Sequence, residues 1–170
     1  SDEAFTDGIA ACDVALNLRW PTAREVSGPW LRCLAAGKPT VIVHGRSDTL
    51  VPVNHSSRAY YGALKANDRF QRENTSYIEV TNAQHFDAFL GFPGYPERYV
   101  PLHAYLGQAL NAVYAQLTAG QPLPPSQVVR TVPRGAGAPA ITAANVPPIV
   151  QMPTAGDRIE FGHGTLRIPD

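Results

Sequence analysis

The sequence predicts an α/β fold with a doubly wound, mostly parallel sheet. Two short runs of strand-forming residues, at residues 40–43 and 77–80, are each followed by a segment with helical character. The first run is continuously β-branched rather than alternating, which is typical of a strand buried on both faces of a parallel sheet. The order strand, helix, strand, helix predicts parallel strands joined by crossover helices. Right-handed crossovers bring the carboxyl ends of such strands to one edge of the sheet, where ligands usually bind.

The residues before the first strand are predicted to be helical. Four apolar residues at helical spacing predict one face of the first helix: Phe5, Ile9, Cys12 and Leu16. Pro21 ends that pattern. A shorter helix is predicted at residues 30–36, with Gly37 as its stop signal.

Two further helices follow the predicted strands. Pro52 marks the start of a helix that continues to about Lys65. A longer helix is predicted at residues 99–117, with Pro101 in its first turn. Its apolar face is expected to consist of Leu102, Leu106, Leu110, Val113 and Leu117.

The composition changes after Gly120. Residues 121–156 are rich in Pro, Ala and Gly and contain no aromatic residue, which predicts an extended segment on the surface or a linker. Residues 158–168 then predict a small hairpin that turns at Gly162-His163-Gly164.

Charge and composition exclude several classes of partner. The chain of 170 residues has 14 basic and 14 acidic residues and no arginine-rich run, so nucleic acid is not an expected partner. No apolar run approaches the roughly 18 residues of a membrane span, and no signal peptide is visible. Because the chain opens without Met, it is expected to be a mature product or a piece of something longer, and its export stays open.

The two cysteines, Cys12 and Cys33, fit neither a zinc pattern nor a redox Cys-x-x-Cys motif. They are expected to be buried free thiols, with a disulfide as the alternative in an exported protein. The five histidines show no metal-ligand spacing, so no metal is expected.

An acid and a histidine follow the two predicted strands. Asp48 lies in His44-Gly-Arg-Ser-Asp48, just beyond the first strand, and His85 lies in Asn82-Ala-Gln-His85, just beyond the second. In the α/β-hydrolase arrangement the catalytic residues run in the order Ser, Asp or Glu, His. The 37 residues between Asp48 and His85 leave room for one helix and one strand. A histidine base needs a carboxylate that fixes its tautomer and stabilises the imidazolium, so the pair predicts half of a serine-hydrolase site.

The other candidate residues have more ordinary readings. Asp87 is the rival acid, since it lies in the same loop as His85. His44 and His55 are interpreted as structural, although His44 is also a candidate pocket residue. Neither of the two remaining histidines, His103 and His163, has an evident partner. An apolar pocket wall is predicted from aromatic residues after the histidine, with ordinary packing as the alternative: Phe86, Phe89, Phe92 and Tyr95.

The nucleophile is not evident in these residues. No Gly-x-Ser-x-Gly motif occurs, and none of the internal serines lies at a glycine-flanked strand-to-helix turn: Ser27, Ser47, Ser56, Ser57, Ser76 and Ser126. The expected order places the nucleophile and the oxyanion-hole loop upstream. We therefore expect the chain to be the C-terminal portion of a larger hydrolase.

Two segments resemble the D-3-hydroxybutyrate oligomer hydrolases, a family of bacterial serine esterases that act after polyhydroxybutyrate depolymerases. They are His44-Gly-Arg-Ser-Asp48-Thr-Leu-Val-Pro52-Val-Asn-His55 and Val80-Thr-Asn-Ala-Gln-His85-Phe-Asp-Ala-Phe89. The likeness continues through the Pro-rich stretch to Leu166-Arg-Ile-Pro-Asp170. The resemblance implies cleavage of short 3-hydroxybutyrate oligomers, dimers included, and a nucleophilic serine upstream.

The combined expectation is a carboxylic-ester hydrolase that works through an acyl-enzyme without metal or organic cofactor. Residues 1–120 are interpreted as the C-terminal part of an α/β-hydrolase catalytic domain, and residues 121–170 as an extended tail with a terminal hairpin. The expected partners are a small oligoester and the upstream part of the same hydrolase. The alternatives are a feruloyl-type esterase, an oligopeptidase or a non-catalytic binding module of this fold. The expected location is secreted or periplasmic, with a cytoplasmic one as the alternative.

Overall fold

The structure is a computed structural model that describes residues 2–12, 36–67 and 74–170. Leu16, Pro21, Cys33 and all but the last residue of the helix predicted at residues 30–36 lie outside these ranges. The expectations placed on those residues therefore stay predictions.

A parallel three-stranded sheet forms the centre of the described residues. Strands β1 (Thr40–Gly45), β2 (Thr75–Val80) and β3 (Gln127–Val129) are arranged in the order β1-β2-β3. β1 and β2 pair in parallel from Thr40↔Thr75 to Gly45↔Val80. The predicted strands and their parallel pairing are confirmed, and with them the α/β class.

Helices cover both faces of this sheet. Helix α2 (Ser57–Ala66) packs on one face, and helix α4 (His103–Ala119) packs on the other. Successive side chains of a strand point to opposite faces, so Val41 and Val43 contact the α4 core while Ile42 contacts the α2 core. This two-sided burial explains why the β1 sequence is continuously apolar.

The helix boundaries differ from the predicted ones near prolines and bridges. The segment after Pro52 begins with a 3₁₀ turn at Val53–His55 before α2. The long helix was predicted to begin at residue 99 and begins instead at His103, after the short helix α3 (Tyr95–Arg98). Val100 donates its amide to the carbonyl of Asn82 and forms a parallel bridge with Ala83, which holds this stretch extended.

The predicted apolar face of the long helix is only partly right, because Leu102 packs against the core and Val113 is half-buried, whereas Leu106, Leu110 and Leu117 are exposed. Tyr105 and Ala109 are the buried residues of α4, and the hydroxyl of Tyr105 donates to the carbonyl of Pro147 at 3.0 Å. Because the helix is rotated to bury that aromatic ring, four apolar side chains are exposed: Leu106, Leu110, Tyr114 and Leu117.

Helix α1 spans Asp2–Ala11, and among the described residues of its predicted apolar face only Ile9 is buried. Phe5 is exposed, and so is Cys12, which corrects the expectation of a buried thiol at that position. The side chain of Lys38 donates to the carbonyls of Ala10 and Cys12 at the C-terminal end of this helix.

The Pro-rich stretch is predicted to lie on the surface or act as a linker, and this is wrong for residues 127–129 near its start. β3 lies within residues 121–156, is fully buried and pairs with β2. The side-chain amide of buried Gln127 donates to the carbonyl of Val150 at 2.8 Å and accepts its amide at 3.1 Å. The Gln127 side chain thus fastens the later part of the tail to the sheet.

The predicted terminal hairpin is confirmed. Strands β4 (Glu160–Gly162) and β5 (Thr165–Arg167) are antiparallel, and His163 and Gly164 between them have φ values of 50° and 74°. Positive φ at both central residues is the requirement of the tight hairpin turn that matches strand twist. None of the helices in the described ranges is long and apolar enough to cross a bilayer.

Candidate active site

The loops after β1 and β2 meet because a glycine lets their backbones touch. A Cβ at Gly45 would lie 2.4 Å from the carbonyl oxygen of Ala83, so no other residue fits without movement. The amide of Arg46 donates to the carbonyl of Val80 at 2.7 Å, and the amide of Ser47 donates to that of Ala83 at 3.0 Å. These contacts place the two loops side by side at the carboxyl edge of the sheet.

The side chains of Asp48 and His85 meet at this edge, as the sequence predicted. Nδ1 of His85 lies 2.6 Å from Oδ2 of Asp48. The other carboxylate oxygen, Oδ1, accepts the amides of Leu50 and Val51 at 2.9 and 2.8 Å. Asp48 is only 5% exposed, so the acid is held inside the protein while facing the histidine.

The environment of Asp48 keeps it ionised. Burial raises the pKa of this carboxyl, but hydrogen bonds from His44, the Val51 amide and His85 outweigh that effect and lower the pKa from 3.8 to about 2. A carboxylate that stays charged is what an adjacent imidazolium needs for stabilisation.

The second nitrogen of His85 is available to a reactant. Since Nδ1 is engaged with Asp48, Nε2 is the ring nitrogen left for a further partner, and no side chain or backbone group in the described ranges hydrogen-bonds to it. The ring borders a cleft of about 290 Å³ with a mostly apolar lining: Val43, His85, Phe86, Asp87, Leu102, His103 and Leu106. An imidazole beside an apolar cleft can serve proton transfer on a small substrate with an apolar part.

The predicted pocket residues occupy different positions around the cleft. Phe86 lines it and contacts the His85 ring edge-to-face at 4.2 Å between ring centroids. Phe89 packs edge-to-face on Phe86 and stacks on Phe92, one step further from the histidine. Neither Phe89 nor His44 is among the lining residues, so contact of these two with substrate stays a prediction.

Asp87, the rival acid, contacts the start of helix α4 instead of His85. Its carboxylate accepts the amides of Leu102 and His103 at 2.6 and 3.0 Å, and so caps the N-terminal end of α4. This capping interaction positions the helix that forms one wall of the cleft. His103 belongs to the same wall, although the sequence offered no partner for it.

His44 lies behind the acid rather than in the cleft. Its Nε2 is 2.9 Å from Oδ2 of Asp48 and 3.0 Å from the carbonyl of Val51, and its Nδ1 contacts the hydroxyl of Ser57. Sequence reasoning missed this contact, although the four-residue spacing of His44 and Asp48 was a signal. It also missed buried Gln84, whose side-chain oxygen accepts the amide of Thr49 at 3.3 Å and ties the two loops together.

Several of the described serines have hydrogen-bond partners other than His85. The hydroxyl of Ser57 contacts Nδ1 of His44, and that of Ser76 donates to the carbonyl of Pro124. The hydroxyls of Ser126 and Tyr61 form a hydrogen bond with each other. Within the described ranges, no serine hydroxyl hydrogen-bonds to His85. Ser27 lies outside those ranges.

Comparison with known proteins gives a consistent family. A family model described as 3HB-oligomer hydrolase matches residues 26–170. Relatives named D-(-)-3-hydroxybutyrate oligomer hydrolase are 59% identical over 141 residues in Paracidovorax citrulli, 56% over 139 in Cupriavidus necator and 55% over 141 in Azoarcus sp.. These alignments cover 79% of this chain but only 19–20% of the relatives, so the chain spans about a fifth of their length. No solved structure matches the chain. Since the family model covers most of its residues, the chain belongs to the 3HB-oligomer hydrolase family.

Proposed function

We propose that the chain supplies the acid and the base of a serine-type carboxylic-ester hydrolase. The observation that carries this proposal is the 2.6 Å contact between Oδ2 of Asp48 and Nδ1 of His85, whose ring borders the cleft. The order acid then histidine, each after a parallel strand, matches the α/β-hydrolase arrangement. On this reading residues 1–120 are the C-terminal part of the catalytic domain, and the nucleophilic serine lies in the upstream part of the hydrolase.

The proposed reaction has two halves. His85 accepts the serine proton at Nε2 as the oxygen attacks the ester carbonyl, and it returns that proton to the leaving hydroxyl. Water then attacks the acyl-enzyme with the same histidine as base, which passes the proton from water to the departing serine oxygen as the acid is released. Asp48 holds Nδ1–H and stabilises the imidazolium in both halves.

We propose short 3-hydroxybutyrate oligomers, dimers included, as the substrates. The names of the relatives support this class. The apolar side chains around the cleft, such as Phe86 and Leu106, suit the methyl-bearing chain of such an ester. A secreted or periplasmic location fits the role in polymer degradation that the resemblance implies.

The test of the site uses the complete hydrolase. His85→Ala should lower kcat by several orders of magnitude, because the nucleophile loses its base. Asp48→Asn should lower it roughly 10⁴-fold, by analogy with the serine protease triad, because the imidazole tautomer becomes wrong. His163→Asn is the control, since this exposed turn residue has a positive φ that Asn tolerates.

The measurement is hydroxybutyrate release from the dimer, beside feruloyl and peptide substrates. Near-normal turnover by the His85 variant would refute the assignment. Faster cleavage of feruloyl esters or peptides would keep the site and reject the proposed substrate. Complete hydrolase that cleaves none of these substrates would favour a non-catalytic module.

A further inference from the structure

The carboxylate of Asp48 has all of its acceptor positions filled. Oδ1 accepts two backbone amides, from Leu50 and Val51. Oδ2 lies against two imidazoles, at 2.9 Å from His44 and 2.6 Å from His85. An ionised carboxylate offers about four acceptor positions, so His44 occupies the only one that neither the loop backbone nor the base uses.

The contacts of His44 assign its tautomer. Its Nε2 faces two acceptors, Oδ2 of Asp48 and the carbonyl of Val51, and must therefore carry the hydrogen. Its Nδ1 faces the hydroxyl of Ser57, which can donate to it. An imidazole with hydrogen on Nε2 is compatible with these contacts, with the one Nε2–H shared between its two acceptors.

The two arginines near His44 are engaged with a partner of their own. Ser57 is the first residue of α2, whose N-terminal end carries partial positive charge. Arg58 on the same helix and Arg46 after β1 both pair with Glu79, which lies beside His44 across the sheet. The carboxylate of Asp48 is the remaining charged group in contact with the ring.

We propose that His44 is a positioning residue: Ser57 holds it in the Nε2–H tautomer, and it fixes Asp48 in the orientation that receives His85. The effect on catalysis rests on the proposed function, whereas the effect on the Asp48 orientation does not. Without this donor, Oδ2 is held only by His85, and the carboxylate can rotate away from Nδ1. His44 thus acts on the base through the acid and never contacts the substrate.

Two amide variants separate the two ring nitrogens. His44→Gln places its side-chain amide near the position of Nε2 and can still donate to Asp48. His44→Asn places its amide near the position of Nδ1 and can contact Ser57 but not Asp48. His44→Leu fills the space without any donor and provides a second donor-free variant if the Asn variant folds poorly.

The experiment measures kcat and KM for 3-hydroxybutyrate dimer in the complete hydrolase. His44→Asn and His44→Leu should lower kcat roughly 10–100-fold with little change in KM. This is the range seen in metalloproteins when a residue that hydrogen-bonds to a metal-binding histidine is removed. His44→Gln should keep kcat within about a factor of ten of the parent, on the same scale. Equal loss in the Gln and Asn variants would overturn the proposal, because it would assign the effect to ring packing.

Crystal structures of the Gln and Asn variants supply a readout that does not depend on activity. The Nδ1–Oδ2 contact of His85 and Asp48 should persist in the Gln variant and lengthen beyond hydrogen-bond distance in the Asn variant. An unchanged contact in the Asn variant would overturn the positioning role even if the enzyme were active. A lengthened contact in a hydrolase that cleaves no ester would support positioning and reject the proposed function instead.

Discussion

At the scale of single residues, the site depends on residues that their immediate neighbours constrain closely. Asp48 is buried, charged and surrounded by four donors, so it tolerates neither neutralisation nor removal. Gly45 is equally constrained, because the neighbouring carbonyl occupies the volume of a side chain. A change at either residue should alter the stability of the protein by a measurable amount.

The low pKa of Asp48 predicts a loss of stability in acid. Because the folded pKa of about 2 lies below the ordinary value of 3.8, the ionised form stabilises the fold above about pH 3.8. That contribution, about 2 kcal/mol, is lost as the pH falls through 2. In denaturant unfolding of the complete hydrolase between pH 5 and 2, the difference in unfolding free energy between the parent and Asp48→Asn should decrease as the pH falls. A free-energy difference that stays constant with pH would contradict the prediction.

Gly45→Ala should destabilise the protein by about 1–3 kcal/mol, because the two loops must separate to admit a methyl group. Gly107→Ala is the matched control: this exposed helical glycine has no atom within 4 Å of a Cβ, so alanine should stabilise α4 by about 0.5–1 kcal/mol. Thermal unfolding of both variants measures the contrast. Equal effects at the two positions would show that the close approach at Gly45 is unimportant.

At the scale of elements, a buried ionic cluster links strand β2 to the loop after β1, to helix α2 and to the end of the chain. Glu79 in β2 is fully buried and accepts hydrogen bonds from Arg46 after β1, from Arg58 in α2 and from the hydroxyl of Tyr77. These donors lower the pKa of Glu79 although burial raises it, and burial beside that carboxylate raises the pKa of Tyr77. Arg46 also donates to the carbonyl of Pro169 at 2.7 Å, which ties the end of the chain to the same cluster.

Glu79→Leu should therefore cost about 3 kcal/mol of unfolding free energy, since it leaves two arginines without their common partner. Asp157→Asn is the control, because the pair of Arg130 with Asp157 is far more exposed and should contribute no more than about 1 kcal/mol. Denaturant midpoints of the two variants measure the difference. Similar midpoints would mean that the buried cluster contributes little.

At the scale of the whole molecule, two apolar surfaces stand open in the described residues. β1 pairs with β2 on one side only, and its residues 41–43 are half-buried. The outer edge of β3, by contrast, is covered by the backbone around Arg158. Exposed Leu110 and Tyr114 of α4 form part of a second apolar surface. Open strand edges and apolar patches of this kind favour association.

The isolated 170 residues should therefore aggregate and should not hydrolyse hydroxybutyrate dimers. An acid and a base cannot replace a nucleophile and oxyanion hole, and oxyanion hole and substrate binding alone supply about 10³–10⁴-fold over water in a mature site. Light scattering and dimer hydrolysis are measured for this chain with and without the upstream segment. Ester hydrolysis by the chain alone, abolished by a serine-directed phosphonate, would show that one of its own serines is the nucleophile.

The sequence by itself was sufficient for the local features of this protein. Strand propensity identified β1 and β2, and turn chemistry identified the hairpin at His163 and Gly164. The contact of Asp48 with His85 followed from one topological rule, because parallel strands with right-handed crossovers end at the same edge. Their catalytic roles stay predictions.

Only the tertiary structure decided which of several possible positions and partners each of these residues has. Residues 127–129 join the sheet, α4 turns Tyr105 inward, Asp87 caps a helix, and His44 supports the acid. In the sequence, each of these residues or segments has another plausible interpretation: a Pro-rich linker, another helix face, a second acid, a pocket residue. Propensity and periodicity describe a residue within its own segment. The free energy that distinguishes these alternatives comes from burial and hydrogen bonds between segments far apart in the chain, which exist only once the fold has formed.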